Sequence, residues 1–264
     1  MADRAAWSCH WPGELKPRSK NQGLSLIELL IAMLISAILL TGLIQIASSA
    51  RSSFLLQEGL AEVQESGRFV LDSLAKILRQ TVFSPQPWVA PTTAIGLTVD
   101  TADATSTHGD RLAIRTWSER NCFGRPNPVT APDGRPEFYV KESIMELNGS
   151  GNLAHTCRYG PDVASLLTQI NRQGLLQNVE AFQALYAEDI DSDGIADRWV
   201  VGGDWEDASH ILGVHVAVLI RSHQSVSAPL ERVYNVLDHV VRAQADGKLR
   251  LVVTYAQPLT LAGL

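Results

Sequence analysis

From position 24 to 46 the chain reads LSLIELLIAMLISAILLTGLIQI, 23 residues with a single charge, Glu28. A helix of about 20 apolar residues crosses the hydrocarbon core of a bilayer, so this run predicts one membrane span. No second run of the kind follows. Further on the apolar positions thin out but keep a helical spacing. Leu56, Leu60, Val63, Gly67, Val70, Leu74 and Ile77 recur at alternating steps of four and three, and Leu71 and Leu78 widen the stripe. That period predicts a helix buried along one face. Gln57, Glu58, Glu62, Glu65, Arg68, Asp72 and Lys76 take the other side, and Pro85, Pro87 and Pro91 end the pattern. An unbroken helix from Ser25 to Gln80 would be about 84 Å long at 1.5 Å per residue. Ser48, Ser49, Ser52 and Ser53 leave open a break near 47–53, which would make two helices instead.

After the prolines the pattern changes to short apolar runs separated by Gly, Pro, Asn and Asp. The runs 95–100, 111–117, 137–147, 175–187, 211–222 and 248–256 read as strands. Val214, Val216, Val218 and Ile220 fall on one face at period two, whereas Val179 to Tyr186 fits either a strand or a helix. The expected fold class is α+β: a long N-terminal helix, its C-terminal half packed on an antiparallel β-sheet head.

Composition narrows the classes. With 264 residues, 45% of them apolar and 19% charged, the chain can bury a core and is no disordered tail. A net charge of −6 argues against a nucleic-acid partner. Three cysteines exclude a disulfide-dense scaffold. Lys16, Arg18 and Lys20 stand directly before the apolar run, and basic flanks stay cytoplasmic, so the head is expected outside the cytoplasm. Cys122 and Cys157 would then share an oxidising compartment and are expected to pair, the alternative being two free thiols. Cys9 has no apolar stretch before it and does not read as a lipid-attachment site. Glu28 needs its own explanation. An acid at membrane depth costs about 2.5–3.5 kcal/mol unless it is paired, or else it lies at the interface and reaches water.

Asp189-Ile190-Asp191-Ser192-Asp193-Gly194-Ile195-Ala196-Asp197 follows D-x-D-x-D-G-x-x-D. Alternating aspartates turn several carboxylates to one side, Gly194 permits a sharp turn, and calcium requires such an oxygen cage. The expected ligands are Asp189, Asp191, Asp193, the Ile195 carbonyl and Asp197. Position twelve of an EF-hand loop would be Val200, which cannot ligate, so a further acid would come from Glu188, Asp204, Glu206 or Asp207, which the sequence does not rank. The competing reading is a solvated Asp-Gly turn, which leaves the other three aspartates unexplained.

Gly23-Leu24-Ser25-Leu26-Ile27-Glu28, after basic residues, resembles the class III signal of type IV pilins and pseudopilins. That resemblance implies cleavage by a prepilin peptidase between Gly23 and Leu24, methylation of the new N-terminus, and a role for Glu28, fifth in the mature chain, in attracting the N-terminal amine of a neighbouring subunit. The mature chain would begin with Leu24 where the family usually has Phe, and the leader is longer than in many relatives. The leader carries Arg4, Lys16, Arg18 and Lys20 against Asp3 and Glu14, so its removal takes the net charge from −6 to −8. The strings QESGRFVLDSLAKILRQ, NVEAFQALYAEDIDSDGIADRWV and GVHVAVLIRS, with the cysteine pair, are similar to the PilW family of minor pilins. The likeness implies a leader over 1–23, a helix over 24–80 with 24–46 in the membrane, and a head over 81–264. It implies the inner membrane with the head in the periplasm, then an extracellular pilus, with other minor pilins, the major pilin and a tip adhesin as partners. Pilus biogenesis, cell adhesion and twitching motility are the processes such subunits serve.

No GxxxxGK[ST], HExxH, GxSxG or GxGxxG occurs, and the seven histidines are scattered, so no enzyme is expected. Two other readings share the same N-terminus: a minor pseudopilin of a type II secretion system, and a calcium-dependent adhesion module anchored by its helix.

Overall fold

Helix α1 (Leu26–Leu78) is a single element of 53 residues, so the serines at 48, 49, 52 and 53 do not break it. Three of its hydroxyls are spent on its own backbone: Ser36 donates to the Ala32 carbonyl, Thr41 to that of Ala37 and Ser48 to that of Gln45. Such bonds let small polar residues sit in an apolar stretch without an unsatisfied group. A 3-10 turn (Arg79–Val82) ends the helix, and the Thr81 hydroxyl donates to the Leu78 carbonyl at 2.6 Å. The computed structural model describes residues 25–82, 96–98, 100–103, 109–226 and 230–259. Gly23, Leu24, Pro85, Pro87, Pro91 and positions 95 and 99 of the first strand candidate lie outside the described residues.

The buried face of α1 differs from the expected one at its upstream end. Gly59, Val63, Gly67, Val70, Leu74 and Leu78 are buried, whereas Leu56 and Leu60 are exposed. The reason is close approach. A Cβ on Gly59 would stand 3.0 Å from Val226 Cγ1, and one on Gly67 would stand 2.9 Å from Val253 Cγ1. The helix lies against its sheet through two bare positions, and a leucine cannot occupy either.

The head holds two main sheets and a ribbon rather than the one sheet expected. β1 (Gly96–Leu97), β2 (Leu112–Ser118), β3 (Tyr139–Leu147), β4 (Leu153–Gly160) and β5 (Leu167–Leu176) form an antiparallel meander in that order. β6 (Val179–Glu188), β7 (Arg198–Val200), β8 (Ile211–Ser225) and β11 (Lys248–Pro258) form a second sheet ordered β11-β8-β6-β7. Among the described strands, β9 (Arg232–Val236) and β10 (His239–Ala243) pair only with each other. The ambiguous stretch from Val179 is strand β6. The single candidate over 175–187 is the end of β5 and most of β6, joined through Asn178 at φ 60°.

Val70, Leu74 and Leu78 of α1 meet Leu112, Ile114, Met145 and Leu153 of the first sheet and Phe182, Tyr186, Val214, Val216, Val218 and Ile220 of the second in one apolar core. Each large side chain so buried contributes about 1.5–3 kcal/mol. The opposite face of β8 is buried too: Ala217 and Leu219 pack with Ala181 and with Val236 of the ribbon. Central β8 therefore reads as a continuous apolar run and not as a clean alternation.

Cys122 and Cys157 form a disulfide across 35 positions. Closing a loop of that length stabilises the fold by about 3–4 kcal/mol in the chain-entropy description. On the first sheet, Glu142 of β3 is fully buried between Arg115 of β2, at 2.7 Å, and Arg158 of β4, at 2.9 Å. The strand register puts these three residues in one cross-strand row.

Candidate functional site

Two places carry chemistry. The first is the start of α1. From Leu26 to Ile46 the large apolar side chains are exposed, Leu26 at 77% and Ile46 at 68%, and Glu28 in the first turn is the only ionisable residue among them. Such a surface is stable only in lipid or against other apolar helices.

The second is the loop between β6 and β7. Its stem is fixed on both sides. Glu188 pairs with Arg198 in the ladder, the Asp197 amide donates to the Glu188 carbonyl, and the Asp189 amide donates to the His210 carbonyl. Inside the loop, Ser192 and Gly194 take left-handed backbone, at φ 62° and 86°. That turn is what Gly194 is for, and Ser192 holds the same conformation with a side chain. The amides so exposed point at carboxylates. Gly194 donates to Asp189 Oδ2 at 2.8 Å, Asp193 donates to Asp189 and Asp191 at 3.2 Å each, and Ile190 donates to Asp197 Oδ2 at 2.7 Å.

One carboxylate oxygen each of Asp189, Asp191 and Asp197 lies within 4.8 Å of the others. Oxygens bound to calcium at about 2.4 Å stand no more than about 4.8 Å apart, so the trio fits that ion. Asp193 is not one of the trio, and its Oδ1 accepts from the Ile195 amide at 2.7 Å. The Ile195 side chain is exposed, and its carbonyl accepts no hydrogen bond from any described residue.

Electrostatics separates the members. Burial opposes the charge of Asp189, yet the amides of Gly194, Ser192 and Asp193 and a bond with Asp191 hold its pKa below the ordinary value. Asp191 is pushed up, first by the charge of Asp193, then by burial and by Asp197 and Asp189. The loop thus gathers negative charge that its own amides only partly offset.

Of the four acids left unranked, two are engaged elsewhere. Glu188 is buried and receives Arg198 Nε at 2.8 Å and the Glu206 amide at 2.6 Å. Asp207 caps a 3-10 turn by accepting from the Ser209 amide and hydroxyl. The clasp of Glu188 on Arg198 went unseen in sequence. Its signal was there: an acid ending an apolar strand and a base opening the next, ten positions apart across the loop.

The family described as Type IV Pilus-assembly protein W matches residues 148–260, which include the whole aspartate loop and Cys157. The Prokaryotic N-terminal methylation motif matches residues 18–44, across Gly23, Leu24 and Glu28. The chain is similar to the PilW family over its C-terminal part and to the prepilin-type signal at its start. The methylation motif stands at the start of a helix long and apolar enough to cross a membrane, an arrangement that fits a membrane-anchored pilin. A type IV-like pilin from Thermus thermophilus is similar in structure, with a TM-score of 0.46 and 17% identity over 77% of this chain and 96% of that one. No curated protein matches this sequence.

Proposed function

We propose that this chain is a minor pilin that primes a type IV pilus and stays near the fibre tip, with its head in the periplasm before assembly. The observation that carries the reading is the apolar stretch from Leu26 to Ile46 with Glu28 alone at its start. Lipid holds such a surface before assembly, and the stems of other minor pilins and the major pilin replace lipid in the fibre. An acid near the helix start then pairs with a cationic N-terminus created by cutting between Gly23 and Leu24. The test is the intact mass and first residue of the protein from membranes, with surface pili counted in Glu28→Ala. A chain starting at methylated Leu24, and a variant that inserts but gives few pili, are the expected results. Normal piliation in Glu28→Ala overturns the role of the acid. A deletion strain that keeps its pili but stops exporting enzymes moves the chain to type II secretion.

We further propose that the loop over 189–197 binds calcium through Asp189, Asp191 and Asp197, with the Ile195 carbonyl and Asp193 completing the oxygen set. Calcium there would neutralise the converging carboxylates and tie the β6 and β7 ends together. Calorimetry on the full chain in detergent, wild type against Asp191→Ala with Asp193→Ala, tests it, and equal heats remove the metal.

A further inference from the structure

A cleft of about 470 Å³ opens in the head beside the ribbon. Residues 239–244 line one wall without a gap, and Glu180, Gln183 and Arg221 stand opposite. Side chains alternate across a strand, so a cleft on one face would meet every second residue. Lining by six consecutive residues means that the cleft runs along the edge of β10. That edge is open: β10 pairs only with β9 among the described strands. The facing edge of β6 is already closed. Asp110 donates its amide to the Phe182 carbonyl, and its Oδ2 accepts from the Ala184 amide at 2.7 Å.

The charges of the cleft are unequal. Glu180 is held by Arg250 through two bonds, at 2.6 and 2.9 Å. Asp110 receives the Gln183 amide at 3.0 Å as well as the Ala184 amide. Both acids are therefore engaged. Arg221 reaches Glu180 only at 3.6 Å, and its buried Nε has no partner. Arg242 is exposed and has no ion pair among the described residues, and His239 stands beside it. A buried guanidinium N–H without an acceptor is costly, and a carboxylate is the acceptor whose geometry matches it.

We propose that this cleft takes an extended acidic peptide segment of a partner protein, paired along β10 with a carboxylate on Arg221 and Arg242. An open strand edge supplies main-chain bonds and the arginines supply selection, which together define strand addition. An acidic sugar would meet the arginines but has no use for six residues of strand edge. The inference goes beyond the pilus reading and does not depend on it.

The test is fluorescence anisotropy on the full chain in detergent micelles. The probes are a labelled Thr-Val-Glu-Val-Glu-Val-Thr peptide, its counterpart with Gln for Glu, and a galacturonic acid trimer. The acidic peptide should bind at least about tenfold more tightly than the Gln peptide, and Arg242→Glu should weaken it about tenfold. Hydrogen exchange at residues 240–242 should slow when the peptide is bound. Equal binding of both peptides, indifference to Arg242→Glu, or no slowing of exchange along β10 overturns the proposal. Binding of the trimer without the peptide replaces it with a sugar site. Arg221→Gln, which leaves the Glu180–Arg250 pair in place, gives a second variant on the opposite wall.

Discussion

The acids of the head fall into two groups that obey opposite rules. Glu142, Glu188 and Glu180 each face a guanidinium within 2.9 Å, and the first two are fully buried. Asp189, Asp191 and Asp197 converge with no basic side chain within ion-pair distance among the described residues. Backbone amides hold them, with a bond between Asp189 and Asp191. An acid that serves the fold is neutralised where it is buried, because an uncompensated buried charge costs several kcal/mol. Acids left facing one another repel, and the charges of Asp193, Asp197 and Asp189 raise the pKa of Asp191 for that reason. The contrast separates charge that the fold neutralises from charge that it gathers.

The sharpest way to break the contrast is to strip a guanidinium from a buried acid. Arg115→Met leaves Glu142 with Arg158 alone and should cost about 3 kcal/mol in urea unfolding of the detergent-solubilised chain. A loss near zero would mean that Glu142 needs only one partner. The bare trio should respond to metal instead. Calcium at about a hundred times its Kd should stabilise the chain by about 2.7 kcal/mol, and Asp191→Asn should abolish that gain. In EDTA the same variant should unfold no earlier than the wild type, since it removes repulsion; earlier unfolding would make the loop a plain structural turn. Acid sharpens the difference further. Hydrogen bonds from Arg250 hold Asp246 at about 2, below its ordinary value. Its contribution is complete above about pH 4 and is lost as pH falls toward 2, so Asp246→Asn should flatten that limb of the unfolding midpoint curve.

The smallest effect comes from bases that mirror the bare acids. Burial and the charge of Lys141 lower the pKa of His155, and burial and Lys76 lower that of Lys141. His155 Nε2 is buried without a partner. A histidine whose folded pKa is depressed resists a proton that the unfolded chain accepts near 6.5, so stability declines as pH drops below that value. His155→Gln should remove a shallow slope between about pH 7 and 5, read as a thermal midpoint, and an unchanged slope would assign it elsewhere.

The features legible in the chain were those with a strong period or a fixed spacing. The run over 24–46, the register of Glu28 behind Gly23, the alternating aspartates and β8 all announce themselves in the order of residues. The buried face of α1 differs at Leu56 and Leu60 because hydropathy scores a glycine low, and only the neighbouring Val226 and Leu249 side chains reveal that Gly59 is a contact point. β4 is not legible in the sequence because it spends Arg158 and Thr156 on polar partners, which erases its alternation. β5 was missed over most of its length because few of its side chains are buried. At the aspartate loop the sequence named the acids but not their division. Which three converge depends on Ser192 and Gly194 turning left-handed, and that is a property of the folded loop.

The bare positions on α1 also have a mechanical meaning. Gly59 and Gly67 stand eight residues apart, about 12 Å along the axis, and receive Val226 with Leu249 and Val253 with Leu251. Tension applied along the helix would have to drag methyl groups out of two sockets at once and onto the side chains between them. The rod is therefore keyed to its sheet like a pin in a lock, and traction on one end is shared across β8 and β11 before it can peel the helix away.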